Sequence, residues 1–191
     1  MGSSLSSPKY DVVLSFRGED TGDNFSSHLY TALSKKKIKT YADDSLKGGD
    51  EISPALIKTI KKSKVCVIIF SENYASSSSC LDELVQIMKY KERRGIIVLP
   101  VFYGVDPSHV RKQQESYAIK NSNRKDKVQA WKTALNKAAS LSGWDSQNVR
   151  PESKLIEEIV KDVKKKLDHI AAMVSATTAG IGAGAYGGGA C

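Results

Sequence analysis

Short apolar runs alternate with amphipathic stretches from residue 10 to about residue 170. Four runs rich in β-branched and aromatic residues predict strands at residues 10–16, 38–41, 65–70 and 96–102. The last two runs are apolar almost throughout, which is typical of strands that are covered on both faces. We therefore expect a sheet whose central strands are buried.

Stretches with apolar residues at helical spacing lie between and after these runs. They predict helices at residues 23–37, 80–92, 126–141 and 151–170, and a further helix that begins at Pro54 with Ser53 as its cap. Residues 110–125 are ambiguous. Strands that alternate with helices indicate an α/β protein with a parallel sheet and helices on both faces. For one small domain this is most often the three-layer, flavodoxin-like fold.

The two ends of the chain differ in composition from the middle. Residues 1–9 are rich in serine and residues 171–191 in glycine and alanine. We expect a disordered N-terminus, one domain over residues 10–170 and a disordered low-complexity tail. Residues 182–187 spell GxGxxG, but no predicted strand precedes them and no helix follows, so this is no dinucleotide fingerprint. Met1-Gly2 opens a short N-myristoylation pattern, and one acyl chain anchors a protein only weakly.

Charge and cysteine content narrow the functional classes. The chain carries 29 basic and 21 acidic side chains, a net charge of +8. The basic groups at residues 35–37, 61–64 and 164–166 lack interleaved aromatic residues, which favours solvated helix faces over a nucleic-acid site. The three cysteines (Cys66, Cys80 and Cys191) form neither a disulfide framework nor a metal-ligand spacing with histidine. We expect a reduced protein of the cytoplasm, and also of the nucleus, with no metal and no membrane partner unless Gly2 is acylated.

Unusual polar residues follow each predicted strand. They lie at residues 17–21, 43–50, 71–74 and 104–108. In a parallel sheet these segments share the carboxyl edge, where such folds bind ligands. Arg17 suits two roles there, a bidentate grip on phosphate or a structural pair with Glu19 or Asp20.

Glu83 is the most interesting carboxylate. At 100° per residue it lies about 200° from Leu81, largely off the apolar stripe of its helix and on the same face as Ser79. It is either a site residue near the helix N-terminus or an ordinary solvated glutamate, which is favoured at that position. The chain has no phosphate-binding loop of the GxxxxGK[ST] type, no GxSxG elbow and no HExxH motif.

The polar segments resemble those of one family, in order along the chain. Residues 10–21 (YDVVLSFRGEDT) resemble the opening of a plant Toll/interleukin-1 receptor (TIR) domain. Later blocks agree at residues 27–30 (SHLY), 41–44 (YADD), 70–75 (FSENYA), 80–84 (CLDEL), 102–111 (FYGVDPSHVR) and 131–135 (WKTAL). The resemblance covers residues 10–168 and implies a flavodoxin-like fold with a parallel five-stranded sheet. No nucleotide-binding or leucine-rich-repeat region follows, which implies a TIR-only or a truncated protein.

The resemblance also implies an activity in plant immune signalling. Many plant TIR domains cleave NAD⁺ to nicotinamide and ADP-ribose or cyclic ADP-ribose-type products, so NAD⁺ would be a substrate and no cofactor is needed. By similarity Glu83 is catalytic, and the loop after the first strand binds NAD⁺ together with a glycine of the next loop. These binding residues are Arg17, Gly18, Glu19, Asp20, Thr21, Gly22 and Gly49. An NAD⁺ glycohydrolase is expected; the alternative is a non-catalytic adaptor that acts by TIR–TIR association.

Two positions differ from the family's usual pattern, and one pair of residues points to association. Ser79 stands where the family usually has tryptophan, one turn before Glu83, so an aromatic stacking surface is absent. Gly22 stands where arginine is common. Ser27 and His28 match the serine-histidine pair through which similar domains self-associate, and other TIR immune receptors are expected partners.

Overall fold

The computed structural model describes residues 9–42, 52–119 and 124–182. Its sheet has five parallel strands, which are β1 (Val12–Ser15), β2 (Thr40–Ala42), β3 (Val65–Phe70), β4 (Ile97–Phe102) and β5 (Trp144–Asp145). They lie in the order β2-β1-β3-β4-β5. The order reverses direction between β1 and β3, and α/β folds of this kind bind ligands at the carboxyl edge of the sheet at such a reversal.

Six helices cover the sheet. They are α1 (Ser27–Lys35), α2 (Pro54–Lys62), α3 (Ser78–Arg94), α4 (Pro107–Lys112), α5 (Lys125–Ala139) and α6 (Glu152–Gly182), among the described residues. Ser53 caps α2 as predicted, since its hydroxyl accepts a hydrogen bond from Leu56 N at 3.1 Å. Within the ambiguous segment, α4 is followed by a 3₁₀ turn at Glu115–Tyr117.

The side chains of β3 divide the interior into two cores. Cys66, Ile68 and Phe70 pack under α2, α3 and α5, whereas the three alternate residues pack under α1 and α6. All six side chains of the strand are buried. The predicted three-layer, flavodoxin-like α/β fold is therefore confirmed.

The first helix differs from its prediction. The segment Gly18–Ser26 is π-helical, and regular α-helix begins only at Ser27. Thr21 and Ser26, five residues apart, are both buried and share a hydrogen bond of 2.7 Å between their hydroxyl groups. The wider turn brings residues at this spacing together, which a pattern based on 3.6 residues per turn does not anticipate.

The fifth strand has no local signal. Only Trp144 and Asp145 pair with β4, at Val101 and Phe102, and two residues cannot show alternation. Glycine at position 143 allows this segment to approach β4 closely, because a Cβ atom there would clash with the carbonyl oxygen of Pro100.

The end of the chain also differs from its prediction. Composition predicts disorder for residues 171–191, but α6 continues to Gly182. Alanine, which recurs through this segment, is the best helix former. The hydroxyl groups of Ser175, Thr177 and Thr178 are accommodated by donating to carbonyl oxygens four residues earlier. Residues 183–191 and 1–8 lie outside the described part of the chain. No described helix has both the length and the apolarity to span a bilayer.

Candidate functional site

The carboxyl edge of the sheet joins the loops that follow β1 and β3. Asp20, from the first loop, accepts hydrogen bonds from three donors of the second, which are the Ser71 hydroxyl group at 2.6 Å, Asn73 N at 2.9 Å and Asn73 Nδ2 at 3.3 Å. Its side chain is 12% exposed. Both carboxylate oxygens are thus engaged, and Asp20 fastens the two loops together.

Arg17 extends the same network. Its Nη1 donates to the Ser76 hydroxyl oxygen at 3.1 Å and its Nη2 to Glu19 Oε2 at 2.6 Å. Its Nε is buried without a hydrogen bond and lies 3.5 Å from Asp20 Oδ1. Of the two roles that the sequence left open for Arg17, the structure shows the pairing with acidic neighbours. The pair with Glu19 is easily exchanged, because the Glu19 side chain is 70% exposed.

Glu83 is buried, contrary to the expectation of an exposed position. It is 3% exposed, and Ser79, one turn earlier, is 1% exposed. The angle of Glu83 from Leu81 around the helix axis describes only its position relative to the apolar stripe of α3. Cys80 Sγ, in the first turn of α3, lies 3.8 Å from the carbonyl oxygen of Phe16 at the end of β1, and the Glu83 carboxylate acts on Cys66 of β3, so this side of α3 also faces the protein interior. Glutamate is rarely buried to this degree.

The charge of Glu83 acts on three buried neighbours. Burial raises the pKa of the Cys66 thiol to about 12 and that of the Cys80 thiol to about 11, and the Glu83 carboxylate adds to both increases. Burial and the same carboxylate raise the pKa of Tyr74 well above its usual value. These groups are neutral at physiological pH, so neither thiol is an activated nucleophile.

Tyr74 joins β1 to α3 beneath the site. Its hydroxyl group lies 3.1 Å from that of Ser15 and donates to the carbonyl oxygen of Cys80 at 3.2 Å. Tyr117, also fully buried, donates to the carbonyl oxygen of Ser71 at 2.6 Å. Sequence reasoning assigned no role to either tyrosine, since a buried tyrosine is recognised only when its hydrogen-bond partner is known.

The other predicted substrate-binding residues are placed unevenly. Thr21 is 1% exposed and its hydroxyl group is used within the π-helical segment. Gly22 has room for a side chain, because a Cβ atom at this position would have Phe16 Cε2 as its nearest neighbour, at 3.7 Å. Gly18 begins the π-helical segment. Gly49 lies outside the described residues, as do all the other residues from 43 to 51.

The predicted association residues are exposed. Ser27 and His28 begin α1, and 62% of the His28 side chain is exposed. His28 Nδ1 lies 3.5 Å from Glu152 Oε1 at the start of α6. Tyr103 donates to the other oxygen of Glu152 at 2.7 Å, and burial together with this bond raises the pKa of Tyr103 to about 12.

A cavity of about 730 Å³ lies next to this surface. Tyr103 and Gly104 line it from the end of β4, and Arg150 to Glu152 line it from the start of α6. Among the predicted substrate-binding residues that the structure describes, none lines this cavity. The cavity belongs to the β4–β5 side of the edge, whereas Glu83 and Asp20 lie by β1 and β3.

Comparisons with known proteins agree with the sequence blocks. The family model for the TIR domain matches residues 9–180. Disease resistance protein RPV1 of Vitis rotundifolia is 52% identical over 162 residues, which cover 83% of this chain and 12% of RPV1. TMV resistance protein N of Nicotiana glutinosa is 46% identical over 177 residues, which cover 87% of this chain and 16% of that protein. The chain thus spans a small part of the length of these relatives.

Two solved structures share the fold. One is the structure of the TIR domains of the activated Roq1 resistosome, which directly recognizes the pathogen effector XopQ. It matches this chain with a TM-score of 0.74 and 50% sequence identity, and the match covers 80% of this chain and 98% of the Roq1 chain. The other is the heterodimer of the RPS4 and RRS1 TIR domains, with a TM-score of 0.51 and 26% identity, covering 81% and 96%.

Proposed function

The chain belongs to the TIR-domain family, and from that premise we propose that it is an NAD⁺ nucleohydrolase of plant immune signalling, activated by self-association. It would release nicotinamide and form ADP-ribose or a cyclic ADP-ribose-type product. The relatives named above are plant disease resistance proteins, which supports the immune role.

The burial of Glu83 carries the catalytic part of the proposal. A glutamate side chain is rarely buried to 3% exposure, and ionisable groups in buried surroundings are concentrated at functional sites. Breaking the nicotinamide–ribose bond builds positive, oxocarbenium-like charge on the sugar. In surroundings of low dielectric constant, a fixed carboxylate stabilises that charge more strongly than it would in water. Glu83 would act in this way or by orienting the ribose hydroxyl groups.

The loop after β1 would bind the pyrophosphate. An anion that approaches Arg17 competes with the largely exposed Glu19 for the same nitrogen, Nη2. Backbone N–H groups at Gly18 and its neighbours would complete the contact. Asp20 keeps the loop attached to Ser71 and Asn73 during this exchange, so its role in substrate binding would be to hold the loop in place. Gly22 and Gly49 remain proposed parts of the same binding surface.

A second candidate function is an adaptor that acts only by association. The exposure of Ser27 and His28 at the start of α1 favours it, and the RPS4–RRS1 structure is itself described as a TIR domain heterodimer. The two functions share this surface and differ in whether Glu83 acts on NAD⁺.

Nicotinamide release from NAD⁺ by the purified 191-residue chain distinguishes them. We expect turnover by the wild type and a loss of about 10²-fold or more in Glu83→Gln, which keeps the shape of the side chain and removes its charge. Glu92→Gln is the matched control, because Glu92 is an exposed residue of the same helix. A wild type that associates but releases no nicotinamide at any concentration would establish the adaptor instead.

A further inference from the structure

The segments that enter the strands form one continuous row at the amino edge of the sheet, opposite the candidate site. Backbone hydrogen bonds join Asp11 N to Lys39 O at 2.8 Å, Lys64 N to Asp11 O at 2.9 Å and Ile97 N to Lys64 O at 3.0 Å. The approaches to β2, β1, β3 and β4 are thus neighbours in that order.

This row is strongly basic. Its basic residues, here called the basic edge, are Lys9, Lys35, Lys36, Lys37, Lys39, Lys61, Lys62, Lys64, Lys91, Arg93 and Arg94. Nine of the eleven are exposed, and Lys64 and Lys91 are half-buried. Two acidic residues, Asp11 and Glu92, lie among them, and each is paired with a lysine. The concentration of charge arises because α1, α2 and α3 run antiparallel to the strands, so that their basic last turns meet at one edge.

Lys37 occupies a backbone position that favours glycine. Its φ is 59°, just after the end of α1. Ile38 N donates to Leu33 O at 3.2 Å and Lys37 N to Ser34 O at 2.8 Å, which is the Schellman arrangement. A lysine is strained there, whereas glycine is not. The chain therefore retains a positive charge on this edge at the expense of stability.

An apolar helix end extends from the same side of the molecule. α6 runs beside α1, from Glu152 near His28 to a groove that Lys161 and Lys164 share with Lys35 and Lys36. Beyond Ile170 all described side chains are exposed. Met173 is 59% and Val174 62% exposed, and they are two of the three exposed large hydrophobic residues among those described. Residues 170–182 carry no charge.

We propose that this end of the molecule docks on the surface of an anionic lipid bilayer. The basic edge would lie against acidic headgroups, and the exposed turns of α6 around Met173 would enter the boundary between headgroups and acyl chains. Long lysine stems suit such a boundary, because the charged end reaches water or phosphate while the methylenes lie in apolar surroundings. The carboxyl edge, with Glu83, then faces away from the membrane.

The combination of charge and apolar surface selects a bilayer over nucleic acid. Duplex DNA or RNA attracts lysines but offers no apolar phase for Met173 and Val174. A single strand is bound through aromatic stacking, and the exposed large hydrophobic residues at this end are aliphatic in the part of the chain described. Along the sequence the lysine groups look like separate solvated faces; their assembly on one edge is what changes the interpretation.

Co-sedimentation of the 191-residue chain with lipid vesicles at 0.15 M salt tests the proposal. We expect binding to vesicles of phosphatidylcholine with 30% phosphatidylserine and none to phosphatidylcholine alone. The triple variant Lys36→Gln, Lys61→Gln, Lys62→Gln should bind about a hundredfold more weakly. The control is the triple variant Lys125→Gln, Arg150→Gln, Lys154→Gln, which changes the net charge by the same amount. These residues lie at the start of α5 and around the start of α6, away from the basic edge. The control variant should bind vesicles like the wild type.

Two further variants distinguish docking on the bilayer from non-specific attraction by net charge and from a loss of stability. Lys37→Gly should raise the melting temperature and yet bind about fivefold more weakly. Met173→Gln with Val174→Gln should weaken binding without changing its dependence on salt. The proposal is overturned if the wild type does not bind vesicles that contain phosphatidylserine, or if the two triple variants lose vesicle binding to the same extent. It is also overturned if the wild type binds duplex DNA and no vesicles. It also fails if light scattering without vesicles shows that the wild type self-associates and the Met173 and Val174 variant does not, since the helix end would then hold a second copy.

Discussion

Asp20 shows how one side chain sets the geometry of the site. The residue follows β1 by five positions, and its three hydrogen-bond donors come from the loop after β3. Hydrogen bonds to a charged acceptor contribute more than neutral ones. The loop that would bind substrate is therefore attached to the loop that leads into α3 and Glu83.

Asp20→Asn should lower the free energy of unfolding by about 2 kcal/mol. The amide has one acceptor oxygen where the carboxylate has two, and the substitution removes the negative charge that lies beside the guanidinium group of Arg17. Urea titration measures the change. Asp23→Asn, in the same segment but exposed, is the control and should shift the midpoint little. Equal midpoints for the two variants would show that the hydrogen bonds of Asp20 contribute nothing to stability.

The buried thiol of Cys80 predicts how stability changes at high pH. Its pKa is raised from 9.0 to about 11, so the folded state holds a proton that the unfolded state releases above pH 9. The resulting stability is complete below pH 9 and is lost as the pH rises to about 11. Between pH 9 and pH 11 the free energy of unfolding should fall less in Cys80→Ala than in the wild type. The difference between the two decreases should be on the order of 2 kcal/mol. Parallel curves for wild type and variant would contradict the assignment.

At the scale of elements, α6 consists of two parts with different origins. Leu155, Ile159 and Val163 are fully buried against the sheet, so tertiary packing stabilises the first part. From residue 171 to residue 180 the side chains are exposed, so helix propensity rather than packing maintains the second part.

Removing residues 171–191 should therefore leave the melting temperature of the domain within about 2 °C of the wild type, since the side chains described in this segment, residues 171–180, are all exposed. Val163→Ala, in the first part, should lower the free energy of unfolding by about 1 kcal/mol or more. Thermal denaturation followed by circular dichroism compares them. If the truncation is as destabilising as the core substitution, the helix end contributes to folding and is not an independent extension.

For the whole molecule, the proposed activity depends on the contact between two copies. Pairing through the same patch on both chains is isologous, so a single substitution at His28 changes both halves of the contact. A small two-fold interface is weak, and its occupancy should change steeply at micromolar concentrations and above.

The specific rate of nicotinamide release should thus rise with protein concentration, and His28→Ala should flatten that rise. His169→Ala is the control, because His169 is also exposed but lies near the far end of the packed part of α6. Light scattering on the same dilution series reports the oligomeric state. A constant specific rate would mean that the monomer is active.

The family and most of the elements follow from the order of residues along the chain, because both depend on local patterns; β5 and the π-helical segment do not. The apolar run at residues 65–70 became β3 without a change of bounds, and Ser53 with Pro54 began α2, since strand propensity and capping act between near neighbours. The ordered blocks around Arg17 and Glu83 identified the TIR domain, which the family match confirms.

The contacts of these residues, in contrast, became known only from the packing of distant segments. Glu83 lies off the apolar stripe of its own helix and is nevertheless buried, close to Cys66 of β3 and to Tyr74. The lysines that end α1 and α2 look like separate solvated groups along the chain and become one edge when the helices pack antiparallel to the strands. Burial and electrostatic fields depend on distance in space, and hydrophobic periodicity carries no information about which distant segment will close over a side chain.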